Sequence, residues 1–182
     1  MQSLKKNFPA FLLLAMLFSV YSCEQIAEQF EFDFDLKLPA VEFDVALVAE
    51  AGEVVMVDQT VKAELGEWLK EHDATTERVL SLLPKRFYME IVEPLNLSFD
   101  PVERLSLYLS APGQPEFLLA ELDPVSNGFH QWVELDILDK PEMMEYLQGG
   151  EFNVRLVGLY TEPVDEKMTI RTYFEFDARA HQ

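Results

Sequence analysis

The chain of 182 residues carries 33 aspartates and glutamates against 14 lysines and arginines, a formal net charge of −19 at neutral pH. That charge excludes nucleic acid as a partner and excludes electrostatic docking on an anionic membrane surface. The single cysteine excludes an internal disulfide, and a 49% apolar content with 14 phenylalanines excludes a disordered chain.

At the N-terminus, Lys5 and Lys6 precede an apolar run from Phe8 to Phe18, and Ser19-Val20-Tyr21-Ser22-Cys23 follows. A basic start, a short apolar stretch and a small residue before a cut are the layout of a cleaved export signal. The run falls short of the roughly 20 apolar residues that a membrane span needs. Cleavage by the ordinary secretory peptidase beside Ser22 would leave an exposed free thiol in an oxidising compartment. Val20-Tyr21-Ser22-Cys23 resembles the lipobox of bacterial lipoproteins. Val20 stands where leucine is usual and Tyr21 where a small residue is commoner, while Ser22 and Cys23 match. The resemblance implies that Cys23 becomes the first residue of the mature protein and carries the acyl chains, and two or more such chains hold a protein stably at a membrane.

The domain plan that follows is a signal peptide over 1–22, a lipidated cysteine with a short tether over 23–29, and one β-rich domain over 30–182. Removing the signal leaves 182 − 22 = 160 residues, a normal size for one domain. Lys5 and Lys6 depart with it, so 14 − 2 = 12 basic residues face 33 acidic ones, a charge of −21. The tether, Glu24 to Gln29, extends at most about 20 Å. The domain therefore sits close to the membrane that holds it.

From Phe30 the chain alternates, with Phe32, Phe34, Leu36 and Leu38 on one side and Glu31, Asp33, Asp35 and Lys37 on the other. This is a half-buried strand. After Pro39 the alternation resumes with opposite parity at Val41, Phe43, Val45 and Leu47, which reads as a bulge, a kink or a strand changing sheets. A turn around Gly52 leads to a third strand with Val55, Val57, Val61 and Ala63 on one face. Leu65 to His72 has a helical period, and Thr76 to Leu83 reads as a further helical turn with Thr76 as N-cap and Pro84 as its stop. Strands are expected over Phe87–Val92, over Arg104–Ser110 with Leu105, Leu107 and Leu109 inward, and over Phe117–Leu122. Asn127-Gly128 marks a turn before a strand over Trp132–Leu138. Lys140 to Gln148 reads as a second helix, opened by Asp139 with Pro141 in its first turn and closed by Gly149-Gly150. Phe152–Tyr160 and Met168–Ala178 are the last strands.

The sum is a mainly β chain, an antiparallel β-sandwich or a flattened barrel with two or three short helices. Parity within strands places Phe32, Phe34, Phe43, Val45, Leu107, Leu109, Phe152, Val154, Phe174 and Phe176 in one core. A weak repeat links 57–94 to 132–163, each running strand, helix, strand and ending in Glu-Pro. The general layout also resembles the β-rich lipoproteins of the phylum Bacteroidota, a resemblance that supplies no function.

Chemistry-bearing patterns are sparse. His72, His130 and His181 share no metal-ligand spacing, and no phosphate-cradling glycine loop or nucleophile elbow is present. Asp33, Asp35, Asp123, Asp136 and Asp139 could gather calcium ligands near strand ends, or form a solvated face that resists edge pairing. Phe30, Phe32 and Phe34 either fill the core or line a cavity. No enzyme, cofactor or metal site is expected, and Cys23, through lipidation, is the site residue. The expectation is a non-enzymatic binding or assembly module of the cell envelope, tethered to a membrane, outer membrane by preference, and meeting an envelope protein partner. The alternative is a carrier of an apolar ligand in a barrel or sandwich cavity.

Overall fold

A computed structural model of the chain describes residues 31–125 and 130–181. Cys23, the tether, Phe30 and the Asn127-Gly128 turn lie outside the described residues. Nine strands follow in chain order: β1 (Glu31–Lys37), β2 (Val41–Val45), β3 (Gly52–Lys62), β4 (Val79–Glu93), β5 (Val102–Ala111), β6 (Gln114–Leu122), β7 (Trp132–Ile137), β8 (Glu151–Tyr160) and β9 (Met168–His181). Helix α1 (Leu65–Lys70) lies between β3 and β4, ahead of a 3-10 turn at Thr76–Arg78, and α2 (Met144–Leu147) lies between β7 and β8.

All pairings are antiparallel and run β1-β9-β4-β7-β6-β5-β8-β3, with β2 also on β9. The result is a mainly β architecture of the sandwich or flattened-barrel kind that the alternation pattern implied. Strand β7 joins the two halves: Trp132 to Leu135 pair with β4, and Asp136 and Ile137 pair with β6. The halves then face each other across one core, where Phe174 of β9 meets Phe152 of β8 edge-on at 6.1 Å and Phe87 of β4 at 4.6 Å. Of the ten expected core residues, eight are buried. Phe32 and Phe34 are half-buried and pack against its margin.

One-residue bulges explain where parity breaks. Lys37 stands opposite Glu175 and Val41 opposite Thr172, so Leu38, Pro39 and Ala40 face only two residues of β9. One extra residue reverses the parity, which keeps both Leu36 and Phe43 buried. Both segments stay on the same strand, and the hydroxyl of buried Thr172 donates to the Val41 carbonyl at 3.1 Å. In β3 the extra residue is Met56, so Met56 and Val57 are both buried while Val55 is 53% exposed, which corrects the inward placement of Val55. Gly158 of β8 makes room for it: a Cβ there would come within 2.8 Å of Met56 Sδ and 2.9 Å of Tyr160 Cε2.

Two helical expectations fail. The segment from Val79 onward is strand, not helix, and Pro84 lies inside β4. The chain bulges at Lys85, shifting the inward set from Leu82 and Pro84 to Phe87, Met89 and Ile91. That shift makes one long strand read as a helical turn followed by a short strand. Thr76 opens only a 3-10 turn and caps nothing through its side chain. The second helix is confined to Met144–Leu147, without Asp139 as its cap. Its intended first turn is instead tied to β4: Glu142 Oε1 accepts from Leu82 N at 2.7 Å, and Met143 N donates to Leu82 O at 2.9 Å.

The two repeat-like units are β3-α1-β4 and β7-α2-β8, and each connection crosses between the halves. Both helices close the same end of the core, where Ala63 N donates to Gly150 O at 2.9 Å and Leu65, Leu69, Met143 and Leu147 are buried. At other loops, buried Phe99 donates its N–H to His130 O at 2.8 Å, and Val48 and Val164 form a two-bond bridge.

Candidate functional site: an open seam and a charged aromatic face

The circuit of strands stops at β1 and β2 on one side and at β3 on the other, and no ladder joins them among the described residues. Strand β3 pairs only with β8, so its second backbone edge carries unpaired N–H and C=O groups. An apolar cleft of about 250 Å³ opens along this seam. Leu38, Pro39 and Val41 form one wall, Val61 the other, and Trp68 of α1 leans over it. Phe152 and Phe174 form the floor, 1% and 2% exposed. Lys62 and Glu64 stand at the rim. Gln59, on the same side of β3 as buried Val57 and half-buried Val61, is exposed.

The local sequence makes this opening. Pro39 has no N–H and sits in the bulge between β1 and β2, so the wall bends where a continuous strand would run on. Glu67 and Lys70 keep the outer side of α1 polar, while Leu65 and Leu69 are buried and Trp68 is only half-buried at the cleft. His72, just past α1, stacks on Phe34 at 4.6 Å, and Phe34 stacks on Phe32 at 5.4 Å. The β1 phenylalanines therefore brace α1 beside the cleft, a third outcome between filling the core and lining a cavity.

On the outer face of β9, β4 and β7 a row of rings runs across three strands. Tyr173 and Tyr88 are stacked at 4.5 Å, and Tyr88 meets Trp132 at 5.7 Å. Polar pairs frame the row. Arg86 Nε and Nη2 each donate to Glu134 at 2.8 Å, Tyr173 donates to Glu90 at 2.6 Å, and Arg171 donates to Glu42 at 2.9 and 2.7 Å and to Glu90 at 3.2 Å. The hydrogen bond to Glu90, with burial, raises the Tyr173 phenol above its usual range. Because the rings cover one another and each arginine has a carboxylate partner, this face is a cross-strand ladder that stabilises the sheet. Sequence reasoning did not single out Tyr88, Trp132 or Tyr173; a parity count outward from buried Phe87 and Phe174 would have found the two tyrosines.

The carboxylates considered for calcium are placed as follows. Asp33 accepts from Arg179 at 2.8 Å, and Asp35 pairs with Lys85 at 2.6 Å, whose hydrogen bond holds that carboxyl below its ordinary value. Asp123, Asp136 and Asp139 are exposed at or near strand ends. Among the described residues no group of three or more His, Cys, Asp or Glu is placed to hold a metal. His181 lies opposite Glu31 at the sheet edge.

No family model matches the chain, and no curated protein matches it. Among solved structures it is similar to the infectious bursal disease virus Gt strain, at 8% identity and a TM-score of 0.37 over 85% of this chain and 34% of that one. The VP2 subviral particle of infectious bursal disease virus gives 7% identity and 0.37 over the same shares, and Desmodium yellow mottle tymovirus gives 9% and 0.24 over 84% and 89%. The chain spans about a third of the length of the infectious bursal disease virus chains it matches. At TM-scores this low the likeness says nothing about function.

Proposed function

We propose that the protein is a lipid-anchored lipoprotein of the cell envelope whose β domain acts as a non-enzymatic binding or assembly module. The observation that carries this reading is the chain's single cysteine, Cys23, placed directly after an export-type segment and eight positions before Glu31, where β1 begins. The small preceding residue and the thiol that lipidation requires are present there as Ser22 and Cys23. A thiol elsewhere in the domain would have suggested another use.

Two features favour binding over carriage of a ligand. The interior is filled by its own side chains, with Phe87, Phe99, Phe152 and Phe176 among the largest fully buried ones. The apolar cleft, at about 250 Å³, lies below the roughly 300–1,000 Å³ of pockets that engulf a small molecule, and larger hollows of about 520 and 410 Å³ carry charged residues in their lining, Asp44, Glu93 and Lys167 in one and Asp33, Asp35 and Arg179 in the other. The cleft has the dimensions of a recess for one protruding group.

The test is the intact mass of the mature protein with fractionation of a Cys23→Ser variant. The expected results are a mature chain that begins at Cys23 with a mass increment of acyl chains, and a serine variant that is neither processed at this site nor held at the membrane. An unmodified thiol, or a serine variant still processed and still membrane-bound, would sink the reading.

A further inference from the structure

We propose that the seam between β2 and β3 docks an extended, cationic segment of a partner protein, whose backbone pairs with the free edge of β3 while one large apolar side chain enters the cleft over Phe152 and Phe174. This inference rests on the binding-module reading and names the partner's chemistry.

Three observations converge on the seam. First, β3 is an eleven-residue strand bonded on one side only among the described residues, and such an edge is a template for strand addition. Natural edges are protected by shortness, by charge, by proline, by bulges or by a covering element, and of these β3 has the bulge at Met56 and the charges of Glu53, Asp58 and Lys62. Here the centre of the strand, Val54 to Val57, has one bulge and no proline, and Val55 is 53% exposed. Second, the recess beside that edge is apolar apart from Lys62 and Glu64 and reaches two buried phenylalanines. An anchor side chain seated in a desolvated pocket is the arrangement that concentrates binding energy at protein interfaces.

Third, the charge of both lips selects the partner. Along β3 and α1, Glu53 is paired with Arg104, and Asp58, Glu64 and Glu67 still outnumber Lys62 and Lys70. The opposing lip, Glu31 to Asp44, holds five carboxylates; Glu31, Asp33, Asp35 and Glu42 are paired with Arg179, Lys85 and Arg171, while Asp44 accepts from the neutral Thr169 hydroxyl and keeps its charge uncompensated among the described residues. A cationic segment is steered toward such a surface, whereas an anionic one is repelled. Alternation completes the match: in a strand added to β3, residues facing the cleft are apolar and their neighbours point to the acidic side.

The probe is a blocked heptapeptide that alternates lysine with valine and carries phenylalanine at its centre, titrated into the full-length chain by fluorescence anisotropy of a labelled peptide. Saturable binding is expected, with a shift in Trp68 emission that Trp68→Phe removes. Replacing the central phenylalanine by alanine should weaken binding at least about tenfold, as loss of a buried anchor does. Methylating alternate backbone nitrogens, which leaves charge and side chains intact, should weaken it comparably by blocking strand pairing. Val41→Trp, which fills the recess from its opposite wall, should do the same. Equal affinity of the phenylalanine and alanine peptides would mean attraction by charge alone and would overturn the proposal, as would unimpaired binding of the methylated peptide. The peptide comparisons need no protein variant, so a Val41→Trp chain that fails to fold leaves them decisive. None of these results bears on lipid attachment at Cys23, so a failure here is distinct from a failure of the anchoring reading.

Discussion

The two long sides of the flattened barrel are made from similar alternating strands and end differently. On the β4–β7–β6 side one strand pairs with both halves, and its Val133 and Leu135 are buried together with Leu119 and Ala120 of β6. On the β2–β3 side two strands consecutive in the chain do not pair, and Val41, Val61 and Trp68 are left half-buried. Consecutive strands usually neighbour each other. Here the loop between them is bonded elsewhere, through the Val48–Val164 bridge at 3.0 and 2.9 Å, and the bulge at Pro39 bends one lip. Alternation therefore specifies which face of a strand turns inward, but closure depends on whether its edge finds a partner.

The largest effects should come from the shared floor and the closed side. Phe174→Ala and Phe87→Ala each remove a ring packed against the other, and each is expected to cost about 3–5 kcal/mol, read as a fall in the chemical-denaturation midpoint. A midpoint that does not move would take Phe174 out of the core and with it the register of β9. Trp68→Ala, at the open lip, should cost only about 1–2 kcal/mol because its ring is half in water. If the seam variant cost as much as the closed-side one, the two sides would be equally built and the contrast would collapse.

Gly158→Ala probes the bulge that shapes β3 and should cost about 1–3 kcal/mol, since the new methyl must displace Met56 or Tyr160. In a Met56→Ala background the penalty should shrink, a coupling that a double-mutant cycle measures. Additive costs would mean that Met56 does not occupy the space Gly158 leaves open.

Much of this architecture was readable from residue order, and the exceptions have a common cause. Leu105, Leu107 and Leu109 alternate without interruption, and they are buried as expected. The parity reversal at Pro39, which left a bulge, a kink and a change of sheet open, is a bulge, because both segments pair with β9 and one extra residue lies between them. The bulge at Met56 has no proline to flag it, and the bulge after Pro84 gives the local pattern of a helix end. Val79, Leu82 and Leu83 fall at helical spacing, yet only pairing with β9, nearly a hundred residues later in the chain, decides that they are strand. The seam was hidden for the same reason: β3 has the sequence of a paired strand, and its missing neighbour is a property of the whole topology. The proposed lipidation at Cys23 rests instead on a short linear pattern that needs no topology to be read.

The smallest expected effect concerns Glu116 and Arg155, an ion pair across β6 and β8 on the closed half of the molecule. Arg155 Nε donates to Glu116 at 2.7 Å and Nη2 at 2.5 Å, and the guanidinium lies 4.1 Å from the centre of the Tyr108 ring. The hydrogen bonds from Arg155 hold the Glu116 carboxyl below its ordinary value of 4.5, against the opposing effect of partial burial. A carboxyl whose value falls on folding stabilises the protein fully above its unfolded value and loses that contribution as pH drops through the folded one. Both groups are partly exposed, so solvent screens the pair and limits its worth to less than about 1 kcal/mol. Acidification also relieves the repulsion of a strongly acidic chain, so total stability against pH would mix opposing trends. The difference between wild type and Glu116→Gln isolates the pair: the variant should be slightly less stable at pH 7, and the gap should narrow steadily below pH 4.5. A gap that stays constant into acid would assign the loss to packing over Tyr108 instead of charge.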